Sequence, residues 1–202
     1  MRKFLTIAIV AAMIASLGAA FAQTSQSHDV EIRIPNVLLI RIVGVVGDRE
    51  PADNPRVVFD FSADHVAYMA AVEAGEAGPL KPTSVENFGD VIVFSNSETS
   101  WSVHLSALPL TFAPHILRGR GAFLDLASIR VRPGQLPDPG VVDRPWRWHL
   151  GTTGPIARGR GLEGYRGWRS LGFGGSDYEL LVHGDEEPGT YTTIVTYTIT
   201  QP

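Results

Sequence analysis

The densest set of side chains able to do chemistry lies between residues 144 and 169. Trp146, Trp148, Tyr165 and Trp168 stand there among Arg144, Arg147, Arg158, Arg160, Arg166 and Arg169, with Glu163 as the one acid. Indole and phenol faces stack on sugar rings or bases, and guanidinium forks pair with carboxylates or phosphates. Trp146, Trp148, Tyr165, Trp168, Arg147, Arg166 and Arg169 are therefore candidates for a ligand-binding surface, and an anionic glycan or wall polymer suits them. The same residues fit a second use. Trp146 and Trp148 are two apart, so on a strand both would face one core. The arginines would then pair with the acidic Asp185-Glu186-Glu187 turn. The sequence leaves both uses open.

Other chemistry is poorly served. The histidines, His28, His65, His104, His115, His149 and His183, show no close ligand spacing, and the chain has no cysteine. A metal site needs three or four ligands in fixed geometry, so none is expected. Asp185-Glu186-Glu187 could meet calcium, but adjacent carboxylates in a turn are ordinarily solvated. No nucleophile elbow, phosphate loop or dinucleotide fingerprint occurs. Gly174-Gly175-Ser176-Asp177 reads as a turn. Arg118-Gly119-Arg120-Gly121 and Arg158-Gly159-Arg160-Gly161 read as two independent glycine turns. With no nucleophile, acid and base set, the expectation is a protein that is not an enzyme and carries no cofactor.

The N-terminus addresses location. Arg2 and Lys3 precede an uncharged apolar run from Leu5 to Leu17, and Ala20-Phe21-Ala22 offers small residues for cleavage before polar Gln23. This is the pattern of a secretory leader over residues 1–22. Its apolar run is shorter than the roughly 20 residues a membrane-spanning helix needs. Export to the periplasm, cell surface or medium is expected, with residues 23–202 as one domain and no transmembrane segment after cleavage. The full chain has a formal charge of −4, and losing Arg2 and Lys3 leaves fifteen basic against twenty-one acidic residues. An acidic body argues against nucleic acid as partner. Without cysteine, stability must come from core burial.

The elements that would position these residues read mainly as strands. Val30–Ile34 alternates apolar and charged residues, Val37–Val46 looks like a central strand, and Arg56–Phe61 like another. Ala63–Ala74 is alanine-rich, with Asp64 near its start and Gly75 past its end, which predicts a short helix. Asp90–Ser95 and Ser100–Leu105 suggest a hairpin turning at Asn96–Thr99. Ile129–Arg132 and Trp146–Leu150 are short strand candidates, and Pro133–Pro145 looks irregular. Ile156–Ser176, rich in Gly and Arg, looks like a long exposed excursion. Tyr178–Val182 and the eleven alternating residues Thr190–Thr200 close the chain. The pattern predicts an all-β, immunoglobulin-like antiparallel β-sandwich of about eight strands with one short helix.

Two segments carry a resemblance. Trp101-Ser102-Val103, and Gly189-Thr190-Tyr191 running on to Tyr197-Thr198-Ile199-Thr200, resemble the paired motifs of the WxL cell-surface domain. Val103 stands where that pattern has Leu, and Tyr197 and Ile199 stand where it has Trp and Leu. The resemblance implies non-covalent attachment to bacterial cell wall. A Gly-x-Tyr strand of alternating Thr and Val is also similar to the last strand of spore-coat-U-like and pilin-type sandwiches. Two expectations follow. One is an exported, non-catalytic envelope protein that binds wall polymer or glycan, or joins a surface layer with other envelope proteins. The other is a pilin-like or coat-like subunit that forms homo-oligomers by strand addition; a secreted hydrolase on a sandwich scaffold is a third reading.

Overall fold

The computed structural model describes residues 31–114, 122–161 and 164–201. The expected leader and the Arg118–Gly121 turn lie outside the described residues. The chain divides into Met1–Pro35 and Asn36–Pro202. In the first unit, residues 31–35 belong to no strand, Ile32 and Ile34 are exposed, and Arg33 pairs with Glu31 at 2.7 Å. The strand expected over Val30–Ile34 is thus not formed across its described residues. Alternation yields a strand only where a neighbour supplies ladder bonds.

In the second unit the described residues form fourteen strands and one α-helix. These are β1 (Leu38–Val43), β2 (Arg56–Val58), α1 (His65–Ala74), β3 (Ser84–Glu86), β4 (Asp90–Ser95), β5 (Trp101–Ala107), β6 (Thr111–Pro114), β7 (Ile129–Val131) and β8 (Val141–Asp143). They continue as β9 (Trp148–His149), β10 (Pro155–Gly159), β11 (Gly167–Ser170), β12 (Tyr178–Leu180), β13 (Gly189–Thr192) and β14 (Val195–Thr200). Short 3₁₀ turns cover Gly75–Ala77 and Gly175–Asp177. All strand pairs are antiparallel, in sheets ordered β1-β4-β11, β14-β5-β10-β8, β12-β7-β9, β13-β6 and β2-β3. The fold is all-β and sandwich-like with one short helix, as the alternation predicts. Its strands are shorter and more numerous than the eight or so expected.

One core joins the three larger sheets. Val91 and Val93 of β4, Val103 and Leu105 of β5, Val131 of β7, Trp148 of β9 and Ile156 of β10 pack in a single buried cluster with Phe173 and Tyr178. A smaller cluster of Ala71, Leu80, Leu180 and Val182 seats α1. The helix begins where Asp64 accepts from the Ala67 N–H at 3.0 Å, and it stops at Gly75, whose φ of +55° suits glycine.

Four expectations about local structure are corrected. β4 and β5 do not form a hairpin: β4 lies between β1 and β11, and β5 between β14 and β10. The segment 96–100 crosses from one layer to the other, so the apolar faces of the two strands meet across the core instead of sharing one sheet face. β1 is an edge strand, and β4 is its one strand partner. The Pro133–Pro145 stretch contains β8. The region Ile156–Ser176 is no exposed excursion: it supplies β10 and β11, and Ile156, Ala157, Leu171 and Phe173 are buried. Two of its glycines serve close approach. A Cβ on Gly159 would sit 2.0 Å from the Trp101 indole, and one on Gly161 2.2 Å from the Thr99 carbonyl oxygen.

The C-terminal alternation survives a break. Thr190–Thr200 divides into β13, paired with β6, and β14, paired with β5. Tyr191, Thr193, Val195, Tyr197 and Ile199 are half-buried throughout, and the residues between them are exposed. The two segments that carry the family resemblance are thereby adjacent: Val103 lies opposite Ile199, and Ser102 opposite Thr200.

Candidate functional site

The small sheet β12-β7-β9 has an apolar face and a charged one. Its registers pair Tyr178 with Val131, Glu179 with Arg130, Val131 with Trp148, and Arg130 with His149. Tyr178, Val131 and Trp148 point into the core. Period-two alternation puts Glu179, Arg130, Arg132 and His149 on the opposite face. Leu80 adds one more bridge beside β12, exchanging two backbone hydrogen bonds of 2.8 Å with Leu180. That bridge brings Lys81 to the same place.

Glu179 is the centre of this face. It stands on the outer side of the sheet, yet its side chain is only 2 % exposed, because three cations cover it. Lys81 Nζ and Arg132 Nε each lie 3.3 Å from Oε1, and Arg147 Nη2 lies 3.7 Å from Oε2. A carboxylate withdrawn from water needs such partners. The Trp146 ring completes the group. It is 66 % exposed, with the Arg132 guanidinium 4.9 Å and that of Arg147 5.5 Å from its centroid, both within cation–π range. Arg130 turns to Glu76, 3.3 Å away.

The remaining candidates from the 144–169 stretch go elsewhere. Trp148 is 3 % exposed and meets the Phe173 ring edge-on at 5.0 Å. Trp146 and Trp148 therefore do not share a face. Trp146 precedes β9, so strand periodicity does not govern it. Trp168, on β11, lies against Phe94 at 5.3 Å with Arg41 4.8 Å from its ring, on the sheet β1-β4-β11. Arg166 pairs with Glu98 at 2.6 Å. Arg169 donates to the carbonyls of Trp168 and Gly164 at 3.1 and 3.0 Å, which fixes the turn into β11. Tyr165 is half-buried beside Gly140. Arg144 donates to the carbonyls of Gly172 and Gln135 at 3.1 and 2.9 Å, and so ties loops together. Of the seven candidates, only Trp146 and Arg147 come together at this site.

Among the described residues, no arginine of the 144–169 stretch pairs with the 185–187 acids. Arg158 pairs with Asp143 at 3.4 Å, Arg166 with Glu98, and Arg132 and Arg147 with Glu179. Glu186 instead accepts from the Tyr68 hydroxyl and from the His183 and Gly184 N–H groups. Sequence reasoning missed Lys81, Arg132 and Glu179 as site residues. Each carried a signal: Lys81 is the only lysine beyond the leader, Arg132 ends an alternating strand, and Glu179 is the sole charge within Tyr178–Val182.

Comparison with protein-family models, curated proteins and solved structures finds no match. Function rests on the chemistry of the chain itself. Away from this face, a shallow cleft of about 290 Å³ opens beside Trp101, Arg158, Thr200 and Gln201, where β14, β5 and β10 adjoin. Among the described residues, no three of His, Asp and Glu gather to hold a metal ion. No helix among them is long and apolar enough to cross a membrane.

Proposed function

We propose that this chain is an exported, non-catalytic envelope protein that binds a cell-wall polymer or glycan on the charged face of β12-β7-β9. One observation carries the reading: Trp146 is 66 % exposed, yet the guanidinium groups of Arg132 and Arg147 lie 4.9 and 5.5 Å from its ring centroid. An exposed indole with fixed neighbours is a stacking surface for a sugar ring, and the guanidinium groups are donors for its substituents. Glu179, on β12, holds both guanidinium groups, so little ordering is needed when the ligand arrives. The leader pattern of residues 1–22 supports export, and the WxL resemblance supports the wall as target.

The test is co-sedimentation of the leaderless chain with purified cell wall. Trp146→Ala is expected to weaken retention about tenfold, near 1.4 kcal/mol. Sedimentation that is equal in wild type and variant, or absent in both, overturns the reading. A second reading, a coat-like or pilin-like subunit, has its own support. β14 is an edge strand bonded to β5 alone, and Ile194 is exposed just before it; edges of this kind accept an added strand. Concentration-dependent mass in light scattering would favour that reading, and a constant monomer mass would oppose it.

A further inference from the structure

We infer that Lys81, Arg132 and Arg147 form a preorganised oxyanion site that takes the carboxylate or phosphate group of an acidic sugar, while the ring of that sugar lies on Trp146. The inference rests on the wall-polymer reading for the polymer, but not for the anion.

Charge is the first support. Three cations converge on one carboxylate, so Glu179 neutralises one and leaves two positive charges on a small face of a chain whose formal charge is −4. Mutual repulsion among them is relieved by an anion. The cationic groups also reach solvent: the side chains of Lys81, Arg132 and Arg147 are 56, 35 and 26 % exposed. Glu179, itself 2 % exposed, fixes their spacing from beneath.

Hydrogen bonding is the second. Glu179 engages Arg132 through Nε and Arg147 through Nη2. That leaves the other N–H groups of each guanidinium fork to meet the paired oxygens of a carboxylate or phosphate. The third support is the Trp146 face, which is set beside the two arginines at cation–π distance.

Lys81 gives the experiment its handle, as the only lysine after the leader. Its Nζ signal, the arginine Nε signals and the Trp146 indole signal can be followed by NMR in the leaderless chain during titration with glucuronate, glucose 6-phosphate and glucose. Both acids are expected to bind and to shift all three groups, with affinity falling as salt rises. Glucose is expected to bind at least tenfold more weakly. The ratio of the two acids tells a carboxylate site from a phosphate site. Lys81→Gln, at an exposed side chain, is expected to lose about fivefold for the acids, and Lys81→Arg to keep most of it. Equal affinity for glucose and the acids, or equal acid affinity in wild type and Lys81→Gln, overturns the inference. If the acids bind but no wall preparation retains the chain, the envelope reading falls and this one stands. If wall retention needs Trp146 but is indifferent to Lys81 and Arg147, the envelope reading stands and this one falls.

Discussion

The hydroxyl oxygens of Tyr178 and Tyr197 lie 2.6 Å apart, and this contact ties β12 to β14 between two sheets. Phe88 packs edge-on to both rings, at 6.0 and 6.4 Å, so each phenol supplies the polar partner that its surroundings deny the other. Burial pushes the Tyr178 hydroxyl up to about 12 and that of Tyr197 well above its ordinary value, the latter with help from the charge of Tyr178.

An alkaline transition follows. A tyrosine in the unfolded chain ionises near pH 10, while these two stay neutral in the folded state. Their contribution is complete below about pH 10 and drains away as pH rises through 12. Melting temperature should fall steeply over that interval. In a Tyr178→Phe/Tyr197→Phe double variant the fall should be shallower, and an identical pH profile would refute the assignment.

Glycine at position 159 is a packing requirement. Gly159→Ala drives its Cβ to 2.0 Å from the Trp101 ring, which cannot move far because Trp101 is itself buried. A loss of about 2–3 kcal/mol is expected by denaturant titration. Gly154→Ala meets nothing within 4 Å and should change stability by about 0.5 kcal/mol or less.

The two neighbouring tryptophans should separate stability from binding. Trp148→Ala empties a core position and should cost about 3–5 kcal/mol. Trp146→Ala removes an exposed ring and should leave the melting temperature nearly unchanged while it weakens sedimentation with wall. Equal thermal losses in the two variants would contradict the placement of these rings.

Asp90 works against the fold at neutral pH. Burial raises its carboxyl above the usual range, against the hydrogen bonds from the Ser170 hydroxyl and the Val91 N–H, and nearby Asp138 and Asp177 push it the same way. With the folded value raised, its favourable contribution is complete only below the ordinary carboxylate range near pH 4 and is lost as pH rises through the folded value. Asp90→Asn should therefore raise the melting temperature at pH 7, with the gain shrinking toward pH 4. A gain that is constant with pH would point to packing.

Glu186 has the opposite sign. Burial pushes its carboxyl up, but the bonds from Tyr68 and from the His183 and Gly184 N–H groups outweigh it and hold the carboxyl below 4.5. Its contribution is present above that value and is lost as pH falls through the folded one. Tyr68→Phe should cost about 1 kcal/mol at pH 7, and less in acid, as read by paired thermal melts at pH 7 and pH 3.

The sequence by itself determined the strand-dominated class, the helix bounded by Asp64 and Gly75, and which side of the C-terminal segment turns inward. These are local matters, set by caps, propensities and the period of two. It also marked Trp146 and Arg147 as chemically capable. Only the tertiary structure decided that β4 pairs with β1 and β11 instead of β5, and that the Gly-rich stretch after Ile156 lies inside. It alone gathered Lys81, Arg132, Arg147 and Glu179, four residues spread over nearly a hundred positions. The physical reason is that a strand's ladder groups are the same for any neighbour. Periodicity fixes where a side chain points, but the choice of neighbour belongs to the packing of the whole core.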